Sequence, residues 1–187
     1  GIMCGITTAI EEAGMNQAVQ RMLERYHCQH MGDYENAVRE VFQELALLGL
    51  WRGKFFEHAA FYGGTALRIL YGLDRFSEDM DFSLLAPNPT FDFSPYCSWI
   101  EKELEAWGFS VTVQVKQKTS QTSIESAFLK ANTVEQLLLI EAKESVLGGI
   151  HADQKLKIKV EVDINPPLNY QTESKYLLEP IPFAVRT

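Results

Sequence analysis

Three cysteines, Cys4, Cys28 and Cys97, are too few and too scattered for a disulfide framework. They form no CxxC pair, and the histidines His27, His30, His58 and His151 show no HExxH spacing, so a zinc site is not expected either. This usage fits a reducing, cytoplasmic compartment. No apolar run reaches the roughly 20 residues that span a bilayer, so no membrane role is expected. The start, Gly1 to Ile10, lacks the basic flank and long apolar stretch of a signal peptide. Basic charge is also scarce. Seventeen Lys and Arg stand against 25 Asp and Glu, a net charge of −8. Affinity for a phosphate backbone comes from cations, so a broad non-specific nucleic-acid surface is disfavoured. Internal repeats and low-complexity tracts are absent as well.

What is present is a globular composition, 46% hydrophobic over 187 residues, suited to one domain with a helical extension. Residues 14–30 carry Val19, Met22, Leu23 and Tyr26 at helical spacing. A second helix is expected over 34–49, capped by Asp33, with Val38, Val41, Phe42, Leu45 and Leu48 on one stripe and Gly49 and Gly53 closing it. This hairpin assigns residues 1–55 to an N-terminal helical segment that packs on the rest of the chain or on a partner. Residues 56–187 form the main domain, the two making one compact unit.

A short apolar strand, Ala59 to Tyr62, runs into Gly63-Gly64. A helix, Thr65 to Tyr71, follows, with Leu67 and Leu70 suited to pack inward. Asp79 to Leu84 then alternates as a strand, with Met80, Phe82 and Leu84 on one side and Asp79, Asp81 and Ser83 on the other. Ser94 to Trp107 reads as a helix capped by Ser94, with Pro95 at its first position. Phe109 to Lys118, with Val111, Val113 and Val115 on one face, is expected to pair as a hairpin with Ser123 to Lys130. Residues 133–145 are compatible with a helix or a buried strand. Lys155 to Ile164 is a strand with Ile158, Val160, Val162 and Ile164 on one face. Lys157, Lys159, Glu161 and Asp163 lie on the other, and the lysines suit a solvated strand edge.

The chemistry concentrates at Gly63-Gly64 and Asp79-Met80-Asp81. A glycine turn opening a helix presents backbone N–H groups to phosphate. Two carboxylates at i and i+2 on a strand point the same way, roughly 6.5–7 Å apart at their backbones. They can hold Mg²⁺ or Mn²⁺ and leave positions open for phosphate oxygens. A third acid from a neighbouring strand would allow two ions about 3.5–4 Å apart. Glu161 and Asp163 both qualify, and periodicity does not choose between them. Either signal alone is common on solvated strands and turns; their succession points to metal-dependent chemistry on a nucleoside triphosphate.

Gly63-Gly-Thr-Ala-Leu-Arg68 followed by Arg75-Phe-Ser-Glu-Asp-Met-Asp81 resembles the AbiEii/AbiGii toxin family of the nucleotidyltransferase superfamily. The resemblance covers about residues 34–187. It implies an α+β fold of the α/β type, a nucleotidyltransferase-like mixed sheet flanked by helices, here with the N-terminal helical hairpin. It also implies transfer of a nucleotidyl group from an NTP to an RNA, such as tRNA, or to a protein hydroxyl, in a toxin held by a cognate antitoxin. On this resemblance Gly63, Gly64 and Thr65 would cradle the triphosphate, with Arg68, Arg75 and Ser77 as further nucleotide contacts. One arginine is expected instead in an ion pair with Glu78 or Asp79. Asp79, Asp81 and Asp163 would hold the metal, and Asp163 or Glu161 would serve as the third catalytic acid. Family members continue into a C-terminal helical part with a Lys and an Arg-Asp-x-x-Asp-type motif, which this sequence does not contain. An incomplete site that binds nucleotide or antitoxin without turnover, and a kinase-like phosphotransferase, are the alternatives.

Overall fold

The computed structural model describes residues 17–116, 123–132 and 153–187. The end of the strand expected to reach Lys118, the turn after it, the helix-or-strand segment 133–145 and the start of the first helix lie outside them.

Helix α1 occupies 17–24 and turns at Arg25 and Tyr26. Val19 and Met22 are buried in the main core, so the hairpin packs on its own chain. Helix α2, Met31–Arg52, is longer at both ends than the sequence pattern suggested. Asp33 does not precede it. It lies in the first turn, where its carboxylate accepts the backbone N–H groups of Gln29 and His30, each at 3.0 Å. Those bonds hold Asp33 below the usual carboxylate range. Gly49 does not end α2. It lies inside the helix, where a Cβ would come within 2.7 Å of the Trp99 carbonyl oxygen. Its bare Cα lets α2 press against helix α4, Ser94–Ala106. The start of α4 also differs from expectation: Ser94 is its first residue rather than its cap, Phe93 holds the cap position, and Asp92 accepts the Ser94 N–H at 2.9 Å.

The strands follow the alternation closely. They are β1 Ala59–Tyr62, β2 Met80–Leu84, β3 Thr112–Val115, β4 Ile124–Asn132 and β5 Lys155–Asp163. They form one mixed sheet in the order β1-β2-β5-β4-β3, with β2 and β5 parallel and the other neighbours antiparallel. A hairpin of β6, Ser174–Leu177, and β7, Phe183–Arg186, forms a second small sheet. The chain is thus α+β, with a mixed sheet and helices. β5 is interior, so Lys155, Lys157 and Lys159 do not line a sheet edge as expected. They project from the middle of the sheet, and Lys157 sits 4.1 Å from the centre of the Phe128 ring.

The two faces of the sheet differ in kind. Met80, Phe82, Leu84, Ile158, Val160 and Val162 are buried in a core shared with Val38, Val41, Phe42 and Leu45 of α2 and Ile100 and Leu104 of α4. Phe55, Phe61 and Phe82 lie at its centre, with Phe82 5.2 Å from Phe55 and 5.0 Å from Phe61. The opposite face carries Asp81, Ser83, Glu161 and Asp163, all half-buried. Burying apolar area on one side only is what forces these carboxylates onto a common, accessible surface. Among the described residues no helix is long and apolar enough to cross a membrane.

Candidate active site

The site begins where β1 becomes helix α3, Gly63–Tyr71, without a connecting loop. Gly63 has φ +81°, and a Cβ there would lie 2.7 Å from Asp81 Oδ2. The first observation favours glycine for the backbone, and the second leaves no room for a side chain unless Asp81 moves. The left-handed backbone disfavours a side chain, and the Asp81 carboxylate fills the space it would take. Among the described residues no side chain caps the first turn of α3, whose N–H groups carry the positive end of the helix dipole. At Gly64, a Cβ would lie 3.3 Å from Ser77 Oγ, so that hydroxyl stands against the same turn.

Thr65 is the third residue of α3. It is 1% exposed, and its hydroxyl donates to the Asp79 carbonyl oxygen, fastening α3 to the chain entering β2. Leu67 points outward, nearly half exposed, and Leu70 packs partly against the core.

The parallel β2–β5 pairing brings the acids together. Asp81 is directly opposite Glu161, and Ser83 is opposite Asp163. Asp79 immediately precedes β2 and is exposed. Asp81 is raised above its ordinary value by burial first, then by the charges of Glu161 and Asp79, with Lys159 opposing. Asp163 sits farther along, and its Oδ1 accepts the Asn165 N–H at 2.9 Å. The register therefore distinguishes the two acids that periodicity left equal: Glu161, rather than Asp163, is the cross-strand neighbour of Asp81. Lys159 reaches Glu161 Oε1 at 2.6 Å, and this bond holds the ammonium above the usual lysine value.

The arginines part company. Arg68 pairs with Glu40 of α2, donates to the Leu73 carbonyl oxygen at 3.2 Å and lies 3.6 Å over the Phe76 ring. The expected ion pair is thus made with Glu40, not with Glu78 or Asp79, and Tyr26 adds a hydrogen bond to the same carboxylate at 2.7 Å. Glu78 lies 4.0 Å from Arg39. Arg75 is exposed on the loop before β2.

Among the described residues no three Asp, Glu, His or Cys side chains close into a ligand cage. Asp79, Asp81 and Glu161 form an open set of hard oxygen donors beside an uncapped helix N-terminus. That donor chemistry fits Mg²⁺ or Mn²⁺ sharing its coordination with phosphate, and not a closed zinc site. A groove of about 680 Å³ among Trp51, Phe56, Trp99 and Arg186 is lined by none of these residues. It opens near the start of β1, whereas the carboxylates gather where β1 ends.

Three residues at or behind the site were not singled out in the sequence. Tyr62 ends β1 opposite Asp81 and is 49% exposed. Burial, then the charges of Asp81, Asp163 and Glu161, raise its phenol. Lys159 lay hidden in a lysine stripe. Gln43 is a polar residue among the apolar positions of α2, which was its only signal.

The family model described as "Nucleotidyl transferase AbiEii toxin, Type IV TA system" matches residues 45–187. The structure is similar to that of JHP933 from Helicobacter pylori, at 16% identity and TM-score 0.46, over 79% of this chain and 50% of that one. A second Helicobacter pylori structure, described as a candidate nucleotidyltransferase, matches at 17% identity and TM-score 0.46, over 77% of this chain and 51% of that one. The chain thus spans about half the length of these solved proteins. No curated protein matches it.

Proposed function

We propose, for a chain that belongs to the AbiEii nucleotidyl transferase toxin family of type IV toxin–antitoxin systems, that it transfers a nucleotidyl group from a nucleoside triphosphate to an acceptor hydroxyl. The observation that carries this reading is the approach of Gly63 to Asp81, with Glu161 in register beside it. A helix N-terminus beside Asp81, with a second carboxylate in register on the next strand, supports this reading.

In this reading the N–H groups at the start of α3 bind the triphosphate, and the Ser77 hydroxyl supports the same turn. Asp79, Asp81 and Glu161 hold Mg²⁺ or Mn²⁺. An ion held there would supply neutralisation of charge on the phosphate oxygens. The acceptor oxygen attacks the α-phosphorus, and the bond to the β-phosphate bridging oxygen breaks. Pyrophosphate leaves with that electron pair, and Glu161 takes the acceptor proton. Arg68, committed to Glu40, shapes the site without touching nucleotide. The acceptor is an RNA, such as tRNA, or a protein hydroxyl, and an antitoxin restrains the activity.

The test is transfer of label from α-³²P and γ-³²P NTPs to RNA or protein, with and without Mg²⁺. Transfer of α-label, lost in Asp79→Asn/Asp81→Asn, is expected. Transfer of γ-label alone would replace this reading with a phosphotransferase.

A further inference from the structure

Resting on that reading, we infer that Gln43 is a positioning residue for the metal-binding carboxylates, acting through the backbone that leads into them. Gln43 lies on α2, on the buried side of the sheet, and is 1% exposed. Its side-chain amide donates to two successive carbonyl oxygens, Ser77 O at 2.9 Å and Glu78 O at 3.2 Å. The next carbonyl, that of Asp79, receives the Thr65 hydroxyl. Three consecutive peptide groups before β2 are therefore held by side chains from two helices, α2 and α3.

This arrangement is specific to the approach of Asp79. Along its stripe of α2 the neighbours are Ala46 and Leu47, fully buried and apolar, and the buried Glu40, which is held by Arg68 and Tyr26. A glutamine there is unfavourable unless its amide is satisfied, and only donors can meet two carbonyl oxygens. Planar trans peptides carry their N–H opposite their C=O. With the Ser77 and Glu78 carbonyls turned toward α2, the N–H groups of Glu78 and Asp79 point away from it. The loop gains its rigidity before any cation arrives. Arg68 anchors the earlier part of the same loop at Leu73 and Phe76. The sheet thus receives Asp79 and Asp81 in a fixed orientation, and carboxylates that repel one another do not have to be reoriented when metal binds. Groups hydrogen-bonded directly to metal ligands are worth about 10–100-fold in affinity, and Gln43, acting through the backbone, falls at the lower end of that range.

The test uses the full chain with Gln43→Met, which keeps length but removes both donors, and Gln43→Glu, which keeps shape but sets oxygen against oxygen. Mn²⁺ alone is titrated by electron paramagnetic resonance, and amide hydrogen exchange is followed in parallel, at a temperature where near-ultraviolet circular dichroism shows each variant folded. The expected result is a Mn²⁺ affinity lowered about 10-fold in Gln43→Met and further in Gln43→Glu. Exchange should quicken at Glu78 to Asp81 while Leu45 to Leu48 of α2 stay protected. A purely structural glutamine would instead loosen α2 as well and leave affinity unchanged in the folded protein. Affinity within twofold of wild type in whichever variant folds overturns the inference. No Mn²⁺ uptake by the wild type overturns the nucleotidyltransferase reading and this inference with it. That pattern is distinct from normal uptake by wild type and variants alike, which overturns the inference alone.

Discussion

Replacing Gly63 by alanine separates backbone strain from site geometry, because the chain supplies its own control. Gly63 has φ +81°, and Gly72, which ends the same helix, has φ +74°. An alanine in this left-handed region costs about 1–2 kcal/mol. For a chain of this size that lowers the melting temperature by about 2–8 °C, at about 2–4 °C per kcal/mol. The two sites differ in what a methyl group meets. At Gly72 nothing lies within 4 Å, whereas at Gly63 the Asp81 Oδ2 atom stands at 2.7 Å. Ordinary contact needs about 3.4 Å or more, so the carboxylate must retreat by roughly 0.7 Å or rotate away. A carboxylate tip moves cheaply, so the added cost to stability is small. Misplacing a functional group by about 1 Å, however, can lower activity about 100-fold. Gly63→Ala and Gly72→Ala should therefore melt together, within about 1 kcal/mol by differential scanning calorimetry. Only Gly63→Ala should lose Mg²⁺-dependent NTP binding in isothermal titration. Equal NTP binding by the two variants would show that Asp81 does not need the space beside Gly63, and the proposed geometry would fall.

The buried Glu44 gives a pH dependence. Burial pushes its carboxyl up to about 7 against the opposing pull of Arg25 at 2.7 Å. The folded state then holds a proton that the unfolded state has released, so stability is greatest in acid and falls as pH rises toward and through about 7. Glu44→Gln should flatten that slope in denaturant titrations between pH 5 and 8, and an unchanged slope would assign it to another group. Burial likewise raises the Cys97 thiol to about 12. A disulfide reagent at pH 8 should leave Cys97 unlabelled in the folded chain and label it on unfolding, as read by mass spectrometry. Phe55→Ala, removing a fully buried ring packed at 5.2 Å on Phe82, should cost about 3–5 kcal/mol in urea unfolding.

The strands were legible because one face is buried and the other is not. Period-two alternation placed Met80, Phe82, Leu84 and Ile158, Val160, Val162 on the correct side. It also put the acids on the accessible face. Register was not legible. Alternation repeats every two residues, so Glu161 and Asp163 look alike until the pairing partner of Asp81 is known. Long-range polar contacts were hidden for a related reason. Nothing in the sequence marked the partners of Glu40 and Gln43, and Arg68 was expected among the nucleotide contacts, yet each partner lies on another element. The caps failed locally: Asp33 and Asp92 both use a carboxylate to hold backbone N–H groups, each at an offset from the position that residue type suggests. The lysine stripe was assigned to a sheet edge because a sequence does not state strand order.

That strand order has a consequence for synthesis. Asp81 and Glu161 stand side by side, yet about 80 residues of chain separate them, and β5 is the strand that enters between β2 and β4. Parallel pairing over such a loop forms late and slowly. A ribosome-bound chain that has emerged only as far as β4 already presents Gly63, Asp79 and Asp81, but lacks the neighbour that closes the acid set. Its sheet is also still open at β2. The insertion of one interior strand therefore completes the core and brings Glu161 beside Asp81 in the same step.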